Sequence, residues 1–75
     1  MKQATEKMLN TLYFLRVQKA FQEGDKTLYV HPDNDAGEYV VRDSIEQAAL
    51  FDLKNAEQII KLNPKLEKVL MSEAI

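Results

Sequence analysis

The side chains best placed to do chemistry lie in one short stretch, His31-Pro32-Asp33-Asn34-Asp35-Ala36-Gly37-Glu38. Asp33, Asp35 and Glu38 are oxygen donors of the type that hard cations prefer. The stretch has the opening of a calcium loop, but its glycine comes one place early and Ser44 stands where the bidentate glutamate belongs. Asp, Asn and Gly are also the residues that tight turns select, because they tolerate turn backbone and solvate a loop tip. A hairpin turn is expected here, with no metal and no cofactor. His31, the chain's one histidine, could serve as a general base beside a carboxylate. With no cysteine in the chain and no serine adjacent in sequence, the nucleophile and orienting group of a catalytic constellation are missing. Its expected position is a solvated strand end. No glycine-rich phosphate loop is present.

A second set, Tyr13, Phe14, Arg16, Tyr29 and Tyr39, could form the aromatic and basic sheet face of a single-strand binder. Packing and cross-strand pairing explain the same aromatics more simply. The twelve acidic and ten basic residues give a net charge of −2 and are mixed along the chain. Nucleic-acid binders concentrate basic charge. The nearest cluster here, Lys54, Lys61, Lys65 and Lys68, is interrupted by Glu57 and Glu67.

These residues have to be positioned by 75 residues, room for one domain, read as 1–75 with residues 1–10 loose. A chain of this size buries only about 60% of its unfolded surface, and a pocket of about 300 Å³ is hard to build in it. An enzyme is not expected. The absence of cysteine suits a reducing, cytoplasmic setting. The longest apolar runs, 12–15 and 48–51, have four residues each, whereas a membrane span needs about 20. The start of the chain does not read as a signal peptide.

The expected architecture is α+β: a small antiparallel sheet, made of a hairpin over 27–42 plus flanking strands, covered by a helix at about 45–62. Residues 27–31 and 38–42 are β-rich runs separated by turn residues, with Pro32 ending the first. Ser44 with Gln47 fits a capping box, and Ile45, Ala49, Leu53, Ala56 and Ile60 recur at helical spacing. Asp52 could instead cap a shorter helix over 53–62. Residues 11–21 alternate as a strand but carry helix-favouring residues at their end, so both readings stay open. Residues 64–73 are equally divided, with a closing strand preferred.

The hairpin, the run Ser44-Ile45-Glu46-Gln47-Ala48-Ala49-Leu50-Phe51, the run Ala56-Glu57-Gln58-Ile59-Ile60 and a short last strand together resemble small uncharacterised proteins from phages and mobile elements of Gram-positive bacteria. The resemblance covers roughly residues 27–75 and carries no catalytic or ligand residues. It implies a phage-type accessory or host-directed role.

The function expected is a non-catalytic protein–protein interaction module whose partner is another protein or a second copy. The alternative is a nucleic-acid-associated accessory or regulatory protein. The 12–21 segment has apolar side chains on more than one face, and one thin layer covers only one of them. Leu12, Phe14, Val17 and Phe21 are therefore the candidate interaction residues. The competing explanation is that residues 1–10 fold back over the second face.

Overall fold

The 11–21 segment, open between strand and helix in sequence, is a strand over its middle. Tyr13, Leu15 and Val17 share one face, Phe14 and Arg16 the other, and the computed structural model, which describes residues 6–22, 24–33 and 38–74, forms strand β1 at Tyr13–Val17. Helix α1, Glu6–Thr11, precedes it, and a 3-10 turn, Lys19–Phe21, follows. The expected hairpin is present as β2, Tyr29–Asp33, and β3, Glu38–Arg42, in the register Val30↔Val41 and Asp33↔Glu38. Helix α2 spans Leu53–Leu62, β4 Leu66–Leu70 and α3 Met71–Ala74. The strands form one antiparallel sheet in the order β3-β2-β1-β4. The tip of the hairpin, 34–37, and residues 1–5 lie outside the described residues.

The helix is shorter than the expected 45–62. Ser44 does not cap a helix: its hydroxyl accepts the Glu46 N–H at 3.1 Å, closing a local turn. Gln47 then takes a left-handed φ of +62°, which a right-handed helix cannot continue. Residues 49–51 run extended and wedge between β1 and β2. The Ala49 N–H reaches the Val30 carbonyl at 3.0 Å, and Phe51 exchanges two backbone bonds with Tyr13 at 2.8 and 2.9 Å. The wedge also explains Pro32, which was expected to end the strand and instead lies inside it. Val30 turns its carbonyl away from β3, towards the wedge, and Pro32, two residues on, turns the same way. The proline's missing donor therefore costs no bond to β3.

α2 begins where Asp52 accepts the Asn55 N–H at 2.8 Å and ends at Asn63, whose N–H bonds the carbonyls of Ile59 and Ile60 just before Pro64. Asp52→Ala should cost about 1 kcal/mol, the usual value of such a cap. Asp52→Asn, which keeps the acceptor, should cost less than half of that in urea denaturation.

The sheet is covered on both faces. On one, α2 lays fully buried Ala56 against Leu15, Val30 and Phe51, with Ile59, Ile60 and Leu66 around them. On the other, Phe14, Val69 and Met71 form a second cluster, closed by Met8 and Leu9 of α1 and Ala74 of α3, with Ile45 and Ala48 from the turn. The second apolar face of β1, read from sequence as open, is thus filled from within the chain. Residues 6–10 are not a loose tail but the start of its cover.

Candidate docking edge

His31 is buried, not solvated as expected, and its Nε2 lies 2.6 Å from the Ser44 carbonyl. A carbonyl only accepts, so Nε2 carries the proton. The ring ties the turn after β3 back to β2 and is spent on that bond. The calcium-like loop beyond Asp33 falls on the undescribed tip. Among the described residues no three His, Cys, Asp or Glu side chains converge as metal ligands.

The aromatic and basic set is split between the two faces. Phe14 and Tyr29 meet edge to face at 6.2 Å on one side, Tyr39 and Phe51 at 5.5 Å on the other. Arg16 is held by Glu67 at 3.1 Å and Lys68 lies 3.8 Å from Glu57. A polar cleft of about 490 Å³ runs beside Arg16, Lys19, Gln22, Thr27 and Glu67, and the Arg16–Glu67 pair forms part of its wall.

Of the four residues singled out for interaction, Phe14 is 1% exposed and belongs to the core. Leu12 and Val17 are half-buried. Leu12 packs against the Phe14 cluster. β1 is an interior strand, hydrogen-bonded on both sides, and offers no free edge. Phe21 alone stands clear, half exposed, with Lys65 Nζ 5.8 Å from its ring centre.

Exposed large apolar side chains occur singly at Phe21, Leu50, Leu53 and Leu62, and two share one strand, β3. α2 crosses β1 and β4, so the hairpin's outer strand extends past it, and Tyr39 and Val41 are 56% and 48% exposed. Their backbone has the same orientation. Leu28 and Val30 direct their carbonyls to Val17 and Ala49, so Tyr29, His31 and Asp33 are the residues that face β3. The pairs Tyr29↔Arg42, His31↔Val40 and Asp33↔Glu38 are therefore the hydrogen-bonded ones. Tyr39 and Val41 turn both N–H and C=O outward. Among the described residues no other segment bonds them. Between β3 and α2 lies a groove of about 230 Å³, lined by Val30, Tyr39, Val41, Ile59 and Leu66. Tyr39 forms one wall, its ring set edge-on to Phe51.

The opposite edge is protected. In β4 the outward residues are Leu66, Lys68 and Leu70, and a lysine in mid-edge is a common guard against strand addition. β3 has no charge at either outward position. Sequence reasoning missed this edge because it followed the densest apolar run. The signal available was Tyr39-Val40-Val41, a strand apolar on both faces with no charge at its middle.

Compared with family models, curated proteins and solved structures, the chain matches none. No helix among the described residues is long and apolar enough to cross a membrane.

Proposed function

We propose that this chain is a non-catalytic protein–protein interaction module, of the phage-type accessory or host-directed kind, that takes an extended segment of its partner as a fifth strand on Glu38–Arg42. The observation that carries this reading is the coincidence at Tyr39 and Val41 of outward backbone donors and acceptors with exposed apolar side chains. Strand addition uses both: main-chain bonds supply affinity, and alternate side chains enter a flanking groove. A segment with Val, Ile or Leu at alternate positions fits the groove beside Val41 and Ile59. A nucleic-acid role is less well supported, since Arg16 and Lys68 are paired with carboxylates.

The test is an NMR titration with extended hexapeptides carrying Val or Ile at alternate positions, against the native chain and Val41→Pro. Because the Val41 N–H points outward, proline removes a docking donor without removing a hairpin bond, and edge strands tolerate it. Amide shifts should centre on residues 38–42, and Val41→Pro should weaken binding by about threefold to tenfold, the loss of one main-chain bond. Its melting temperature should stay close to native. Shifts centred on Phe21 and Lys65, or undiminished binding by Val41→Pro, would reject the docking edge.

A further inference from the structure

The strand that fits this edge is written in the chain itself. We infer that the occupant is β3 of a second copy, which makes a symmetric dimer with one continuous eight-stranded sheet; the inference rests on the docking edge proposed above. β3 reads Glu38-Tyr39-Val40-Val41-Arg42, and run antiparallel against itself about Val40 the sequence is its own complement. Tyr39 falls opposite Val41 of the second copy, Val41 opposite its Tyr39, and Val40 opposite its Val40. The acidic position 38 falls opposite Arg42, twice, by symmetry. Opposite charges directly across strands stabilise a pair, as do aromatic and β-branched partners.

The backbone selects the same register. An added antiparallel strand must put outward-facing residues opposite outward-facing residues, and within β3 those are Tyr39 and Val41. Three alignments satisfy the rule. Tyr39 against Tyr39 and Val41 against Val41 each engage one pair within the strands and carry part of each strand past the end of the other. Tyr39 against Val41 engages both pairs, each exchanging two main-chain bonds, and is the one alignment that sets positions 38 and 42 together.

The two-fold axis then passes midway between the two facing Val40 residues, perpendicular to the sheet, so like faces stay on like sides. The α2 helices of both copies lie on one face and the α1 and α3 helices on the other, and both layers continue across the junction. The exposed flanks of Tyr39 and Val41 cover each other across the axis. A two-fold contact made from one self-complementary patch is the commonest way a chain of one kind assembles.

Sedimentation equilibrium of the whole chain across about 10 µM to 1 mM, the range of a small transient interface, should show a monomer–dimer equilibrium with nothing larger. Arg42→Glu sets two like-charge pairs across the junction and should weaken the dimer at least about tenfold. Adding Glu38→Arg to it restores opposite charges and should bring association back to within about threefold of native. Isotope-filtered spectra of a mixed labelled and unlabelled sample should connect Tyr39 of one copy with Val41 of the other. Amide spectra of each variant check that the fold persists. A monomer at every concentration, or a charge-reversed double variant that stays as weak as Arg42→Glu, overturns the dimer. If the hexapeptides still bind residues 38–42 in that case, the docking edge stands and its occupant is a different protein. If they do not, both fall together.

Discussion

Phe14→Ala should leave the chain largely unfolded at 25 °C. The ring is 1% exposed and is packed by Val69 from β4, Met71 from α3, Met8 and Leu9 from α1, and Tyr29 edge-on at 6.2 Å. Phe→Ala in a core costs about 3–5 kcal/mol, the lost transfer energy plus the cavity left behind. A chain this small has about 3–5 kcal/mol in total. The loss therefore matches the whole margin, and circular dichroism should report a mainly unfolded chain without denaturant. Phe21→Ala, by contrast, removes a half-exposed ring over Lys65 and should cost about 1 kcal/mol or less. If the two variants melt alike, the α1 and α3 layer does not cover β1.

Ala56→Lys should be nearly as damaging. Ala56 is fully buried, at the point where α2 rests on Leu15, Val30 and Phe51. A lysine there must either bury an unpaired ammonium or lift the helix from the sheet. Uncompensated buried charges cost about 3–5 kcal/mol. Glu57, one residue on, points to solvent and lies 3.8 Å from Lys68. Glu57→Lys exchanges that exposed pair for a repulsion worth less than about 1 kcal/mol. Urea midpoints for the two variants within experimental error of each other would mean that α2 presents a different face.

The hairpin was legible because its information is local. Two β-rich runs and a turn-forming tract between them need no distant partner to be recognised. Ala56 and Ile60 were legible because period 3.6 alone turns them to one side of α2. The 45–52 segment was not, and the reason is tertiary. Ser44, Gln47 and Ala49 satisfy every local rule for a helix start. What overrides them is an unfilled gap between β1 and β2, where Ala49 and Phe51 make sheet bonds that no helix would make. His31 was misread for the same kind of reason. Its burial depends on a Ser44 carbonyl thirteen residues away that nothing in its neighbourhood announces. The cover on the second face is hard to see in sequence, since α1 has few apolar residues. Met8 and Leu9 suffice because α3, at the end of a tail that the sequence left open between helix and strand, supplies Met71 and Ala74 beside them. As for the docking edge, its side chains were legible and its openness was not. Openness follows from strand order, and strand order places β1, the most apolar segment, in the middle.

That placement also sets a timetable. β1 leaves the ribosome early but lies between β2 and a strand that reaches it across 51 residues, the separation of Arg16 and Glu67. Bringing such distant segments together costs loop-closure entropy before any contact offsets it. The β2–β3 pair, separated by only four residues of chain, can form within microseconds. β1 must wait with Phe14 and Leu15 uncovered until Leu66–Leu70 has been made. During that interval a folding chain carries a ready hairpin, with its outer edge open, beside an unmatched apolar strand. On the proposed β3 dimer, copies refolding at high concentration would therefore meet through that edge before either had closed its core.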